Sequence, residues 1–175
     1  MSRFAKIIIG VSIIFLSACS VHYANPSKSA FVLDSVPFFP QEDFQCGPAS
    51  LASVLNYHGI SVQPPEVASA IYSKSARGTL TIDMILYSQK QGLKAEQYSG
   101  SIDDLKNKLK NGYPLIVMSD FGFSAIQMNH FMVVTGYDDE GVVVNSGKSR
   151  SVLITYSNFA SSWNRTKNWT LWIRK

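Results

Sequence analysis

Three side chains in this sequence could together perform nucleophilic chemistry: Cys46, His130 and Gln41. Cys46 lies within Pro40-Gln-Glu-Asp-Phe-Gln-Cys-Gly-Pro-Ala-Ser50, and Ala49, Leu51, Ala52, Val54 and Leu55 follow it at helical spacing until Gly59. Proline in the first turn and glycine beyond the last predict a helix that begins at the cysteine. A thiol there feels the positive end of the helix dipole and nearby unpaired amide N–H groups, and both favour the nucleophilic thiolate. An ordinary buried cysteine fits the same place, so the thiol must be judged by its partners.

A thiol nucleophile needs a base, a group that orients the base, and donors for the developing oxyanion. His58 lies at the far end of the cysteine helix, out of reach of the thiol, where it is expected to interact with the C-terminal dipole. His22 falls in a polar stretch and reads as a linker residue. His130 opens a hairpin whose turn is Asp138-Asp139-Glu140-Gly141. Residues whose numbers sum to about 275–279 then face each other across it. That register brings Asn145 opposite the start of the first strand, where its carboxamide could accept the imidazole N–H and fix the tautomer. The plainer reading, taken without Cys46, is a satisfied strand-end histidine and an unrelated turn asparagine.

Gln41-Glu-Asp-Phe-Gln-Cys46-Gly-Pro-Ala-Ser, followed by Asn129-His130-Phe-Met-Val-Val-Thr-Gly-Tyr-Asp138, resembles the bacteriocin-processing cysteine peptidases. These are the papain-like, double-glycine-leader peptidase domains, family thirty-nine of the cysteine peptidases. The resemblance extends from Val36 to Ile173. It implies a papain-like fold in which Cys46 attacks a carbonyl and His130 acts as base, then as acid. Gln41 would donate its side-chain amide to the oxyanion beside the Cys46 backbone N–H. Where the family usually carries an aspartate, often followed by proline, this chain reads Asn145-Ser146. Papain-like enzymes use asparagine in that role, but the change removes a carboxylate that would stabilise the imidazolium. The family's best-known members are fused to a transporter, whereas here an export signal stands in front.

The elements that must position these groups are legible as local patterns. A helix opening at Pro64 or Pro65 follows the cysteine helix. Next comes a helix over Ile82–Gln91 capped by Thr81, with Ile82, Ile85 and Leu86 inward. Leu93–Tyr98 predicts a short strand, and Ser101 caps a helix over Ile102–Asn111. The apolar run Tyr113–Ser119 predicts a buried strand. After the hairpin come a strand over Ser151–Thr155, a helix over Ser157–Trp163 and a closing strand over Trp169–Ile173. Helices first and an antiparallel sheet second give an α+β domain with the cysteine helix packed on the sheet. The loop Asp120–Asn129, aromatic and rich in small residues, is expected to line the substrate groove.

Composition supports a single packed domain in a chain of 175 residues, with 46% hydrophobic residues and 12% aromatics. A net charge of +4 includes Arg3 and Lys6 of the N-terminal segment. The lysines at 106, 108 and 110 share a polar helix with Asp103 and Asp104, a solvated face and not a nucleic-acid footprint. Arg3, Lys6 and the apolar run Ile7–Leu16 form a secretory signal, too short to span a bilayer. It ends in Leu16-Ser17-Ala18-Cys19, which resembles the bacterial lipobox, so Cys19 is expected to be lipidated. The expected organisation is a lipoprotein signal peptide over 1–18, a lipidated tether over 19–34 and a papain-like domain over 35–175. Ser20 after the lipidated cysteine favours a periplasm-facing outer-membrane location. Cys46 is then the remaining thiol in an oxidising compartment, either reactive or well buried.

These readings converge on a lipid-anchored, thiol-dependent peptidase acting on exported peptides or proteins. It would need no cofactor and no metal, since Cys46 and His130 lack further ligands at a metal spacing. Acyl transfer through the same thioester is a related possibility. The alternative is a catalytically weak or inactive papain-like shell serving as a binding or assembly module.

Overall fold

The computed structural model describes residues 23–175; the expected signal peptide, Cys19 and His22 lie outside the described residues. The elements follow in the order β1 (Phe31–Val32), α1 (Cys46–Tyr57), α2 (Pro64–Ile71), β2 (Tyr72–Ser73), β3 (Gly78–Thr79), α3 (Thr81–Lys90), β4 (Lys94–Ser99), α4 (Ile102–Lys110), β5 (Leu115–Asp120), β6 (Asn129–Tyr137), β7 (Gly141–Ser146), β8 (Ser149–Thr155), α5 (Tyr156–Asn164) and β9 (Trp169–Arg174). An antiparallel sheet runs β4-β9-β5-β6-β7-β8, and β1 pairs with β6 at Tyr137 and Gly136, beyond the end of β5. The α+β class and the papain-like arrangement, with the cysteine helix on the sheet, are as expected.

The central strands are buried on both faces, which is why Leu115-Ile-Val reads as a continuous apolar run. One core joins α1, α2 and α3 to Ile116, Phe131 and Val133. The other joins α4 and α5 to Leu115, Val117, Met132 and Val134. Successive residues of β5 and β6 therefore alternate between the two cores.

Helix α3 turns differently from expectation. Ile85 is inward as expected, but Ile82 and Leu86 are exposed, at 48% and 54%, and Met84 and Ser88 complete the buried face. Both stripes have helical spacing, so periodicity alone could not choose between them. Leu80, not Thr81, is the N-cap, and it has no side-chain cap bond. Helix α4 is capped as expected, Ser101 Oγ accepting from the Asp104 N–H.

The stretch expected to act as a tether is docked over its described part. Ala24 exchanges two backbone hydrogen bonds with Leu153 of β8, and Leu33 N–H donates to Thr135 at 2.8 Å. Gly136 permits the close approach of β1, since a Cβ there would lie 2.2 Å from the Phe31 carbonyl oxygen. No helix among the described residues is long and apolar enough to cross a membrane.

Candidate functional site

Cys46 is the first residue of α1, and Pro48 two places on contributes no amide hydrogen. The backbone amides of Phe131, Gly47 and Cys46 itself favour the charged form of the thiol. The helix needs glycine after its cysteine because β3 presses on it: a Cβ at Gly47 would lie 2.6 Å from Thr79 Cβ. Phe44, just upstream, has φ of 61°, an uncommon conformation for an aromatic residue, with Arg77 stacked 4.6 Å over its ring.

Contrary to the thiolate expected from the dipole, burial pushes the Cys46 thiol above its ordinary pKa and outweighs the three amides. Burial also lowers the His130 imidazole to about 4. The resting pair is therefore a neutral thiol and a neutral imidazole near pH 7. The strand that carries His130 is brought beside the thiol, since Cys46 packs against the core that holds Phe131, the residue after His130. Among the described residues no hydrogen bond joins the thiol to the imidazole.

His130 stands near the start of β6, opposite Ser119 of β5, with its ring centroid 5.7 Å from that of Phe121. Its Nε2 lies 3.0 Å from Ser146 Oγ, and the same hydroxyl lies 3.0 Å from Tyr23 Oη. Asn145 does not take the orienting place expected for it. It pairs with Val133 across the β6–β7 ladder, where the register sum is 278. Residues sharing a face across that ladder have numbers of the same parity, so His130 goes with Ser146 and Asn145 with Val133. The Asn145 carboxamide instead accepts the Ser151 N–H at 2.9 Å. That bond closes a bulge in β8, where the register shifts between Val144 and Ser146 and Ser151 has φ of 50°.

Gln41 is drawn to the same end of the sheet, its N–H donating to the Gly147 carbonyl at 3.1 Å. It lines a cleft with Ala49 and Ser50 of α1 and with Asn145, Ser146 and Gly147. Its carboxamide forms no hydrogen bond among the described residues.

The loop before His130 is fixed at its base. Buried Asp120 accepts the Gly122 and Met128 amides, both at 2.8 Å, and pairs with Arg165 at 2.9 Å. Burial opposes the Asp120 charge, but these three donors hold its carboxyl below the usual range. The loop carries Phe123, Ile126 and Met128 into solvent and delivers Asn129 and His130 to the site.

His58 is no cationic helix cap. It is buried at the α1 C-terminus, and burial lowers its pKa and keeps it neutral. Asp138 stays in the β6–β7 turn, accepting the amides of Ser27, Glu140 and Gly141. Among the described residues no three His, Cys, Asp or Glu side chains gather as a metal site. Ser146 and Tyr23 were not among the expected site residues. Strand parity, applied to the correct register, was the signal for the first; nothing local marked the second.

The profile of the Peptidase_C39 like family matches residues 33–171. No curated protein matches the chain. Among solved structures, a C39-like peptidase from Bacillus anthracis superposes with a TM-score of 0.69 at 22% identity, covering 83% of this chain and 98% of that one. A double glycine motif protease from an AMS/PCAT transporter, solved in complex with the leader peptide, gives 0.65 at 25% identity, over 79% and 91%. The peptidase domain of Streptococcus ComA gives 0.62 at 21% identity, over 79% and 98%. With its cysteine at the head of the central helix, its histidine at the start of the facing strand, and a profile match across nearly all of the described domain, this chain belongs to the Peptidase_C39 like family.

Proposed function

We propose that the protein is a cysteine peptidase acting on exported peptides or proteins. The observation that carries this reading is the convergence of the Cys46 thiol and the His130 strand at one end of the sheet, in a chain of this family. In the reaction, His130 Nδ1 takes the thiol proton as Sγ attacks the scissile carbonyl carbon. The carbonyl π pair moves onto oxygen, where the Cys46 N–H and the Gln41 carboxamide donate to it. Collapse of the tetrahedral species breaks the C–N bond, and the proton on His130 passes to the leaving amine. Water, deprotonated by the same imidazole, then cleaves the thioester. Because burial keeps thiol and imidazole neutral at rest, proton transfer is coupled to substrate attack and no preformed ion pair is needed. Ser146 takes the orienting place beside Nε2. A peptide substrate is supported by the leader-peptide complex of the transporter protease.

The test is digestion of a peptide library in H₂¹⁸O, read by mass spectrometry, beside Cys46→Ala and His130→Ala. The expected result is cleavage that both variants abolish, with ¹⁸O in the new C-termini; products without ¹⁸O and joined to an amine would show acyl transfer instead. Absence of products, together with iodoacetamide alkylation of Cys46 indifferent to His130→Ala, would favour the binding module. The observation favouring that second reading is a hydroxyl in place of a carboxylate beside the imidazole, together with a buried thiol.

We also propose lipid anchoring at Cys19 and a periplasm-facing, outer-membrane location, on the strength of the Leu16-Ser17-Ala18-Cys19 signal. Labelled palmitate incorporated by the chain and lost in Cys19→Ser is the expected result; equal labelling of both would overturn it.

A further inference from the structure

The docked N-terminal segment reaches the base. We propose that Tyr23 is a positioning residue for the reaction: through the Ser146 hydroxyl it holds His130 in the tautomer that leaves Nδ1 open to the thiol proton. The proposal rests on the cysteine-peptidase reading above.

A serine alone orients an imidazole poorly. Its hydroxyl rotates among three staggered positions and can either donate to Nε2 or accept from it. Only acceptance leaves Nδ1 as the free base nitrogen. Ser146 is 4% exposed, and among the described residues its Oγ has two side-chain partners, His130 Nε2 and Tyr23 Oη, each at 3.0 Å. With Tyr23 present, the hydroxyl hydrogen has an acceptor on the side away from the imidazole. In the proposed direction the chain runs from Nε2–H to Ser146 Oγ, from Ser146 O–H to Tyr23 Oη, and from Tyr23 O–H to solvent. Tyr23 is 39% exposed, so its own hydrogen can be hydrated. Hydrogen bonds aligned in this way polarise one another, which strengthens the acceptor facing the imidazole.

Tyr23 does not reach Ser146 by chance of a loose end. The next residue, Ala24, is bridged to β8 in both directions, Ala24 N–H to the Leu153 carbonyl at 3.1 Å and Leu153 N–H to the Ala24 carbonyl at 2.8 Å. Three residues further on, Ser27 N–H donates to Asp138. The segment is thus clipped to the sheet on the side of the hairpin that carries Ser146. Where a carboxylate would accept from Nε2–H without help, this chain uses a hydroxyl that has to be aimed, and the aiming group comes from outside the sheet.

The experiment compares Tyr23→Phe, Ser146→Asp and the double variant in the full-length chain. Imidazole ¹⁵N shifts report the His130 tautomer, and iodoacetamide reports Cys46 reactivity against pH. Wild type should show the Nε2–H tautomer. Tyr23→Phe should mix the tautomers and slow alkylation at pH 7 by about 2–10-fold, the value of one neutral hydrogen bond. In the Ser146→Asp background the same change should alter alkylation less than about twofold, because the carboxylate accepts from Nε2–H unaided. Ala24→Pro, which removes the N–H of the bridge and keeps the phenol, should reproduce the Tyr23→Phe tautomer mixture. An unchanged tautomer in Tyr23→Phe, or an equal alkylation loss in both backgrounds, would overturn the proposal and leave Tyr23 a packing residue. Failure of the peptidase reading is separate: alkylation indifferent to His130→Ala overturns that reading, while the tautomer comparison still decides the role of Tyr23.

Discussion

Substituting Ser146 by aspartate tests the site at the point where the structure departs from the expectation based on Asn145. Ser146 Oγ lies 3.0 Å from His130 Nε2, so an aspartate there would place a carboxylate against the imidazole. Taking about 4 Å between charge centres and an effective dielectric of about 20, their attraction is about 4 kcal/mol, equivalent to about 3 pH units. Carboxylate neighbours typically move a titrating partner by about 1–3 units, so a rise of about 2–3 is the expected range after desolvation of the new carboxylate. His130 starts at about 4, where burial holds it. In Ser146→Asp its NMR titration should therefore fall near the ordinary histidine range, and Cys46 alkylation should gain an ion-pair component at neutral pH. Asn145→Asp is the control. Its carboxylate would lie on the opposite face of the sheet, and at about 10 Å the same law gives less than half the effect. Without a cation beside it, that buried acid also tends to take a proton instead. Equal shifts of His130 in the two variants, or a larger one in Asn145→Asp, would refute the parity argument and restore Asn145 as the orienting group.

Three further outcomes follow from the same structure. His130 has a folded pKa depressed to about 4 from an unfolded value of 6.5, so its contribution is fully present above pH 6.5 and is lost as pH falls through about 4. That contribution is about 3 kcal/mol, and urea unfolding at pH 7 and pH 4 should show a correspondingly smaller acid loss in His130→Gln than in wild type. Gly47→Ala drives a Cβ into Thr79 and should destabilise by about 1–3 kcal/mol, measured by urea unfolding; a neutral change would mean that β3 yields freely. Asp120→Ala leaves Arg165 and two loop amides without their acceptor. It should cost about 2–4 kcal/mol and speed hydrogen exchange at Gly122 and Met128, and unchanged exchange there would show that Asp120 does not fix the loop.

Much of this protein is written locally. The cysteine at the head of α1, the Ser101 cap, the buried run of β5 and the Asp138–Gly141 turn each carry their signal within a few residues, and those signals give the α+β class and the place of Cys46 and His130. The motif blocks around Gln41, Cys46 and His130 were enough to point to the family. Other features depended on what surrounds each element. Helix α3 has two apolar stripes at helical spacing, and only the position of its neighbours buries Met84 and Ile85 while exposing Ile82 and Leu86. The helix dipole suggested a thiolate at Cys46, but the depth of the site sets the balance, and burial reverses it. The hairpin could be located from its turn, yet the expected pairing window contained both odd and even sums. A shift of one residue exchanges the faces of every side chain on a strand. The tertiary structure fixes the sum at 278 beside His130 and absorbs an extra residue at Thr135. That choice places Ser146 next to the imidazole and turns Asn145 toward the β8 bulge, and the segment bridged to β8 brings Tyr23 to complete the contact.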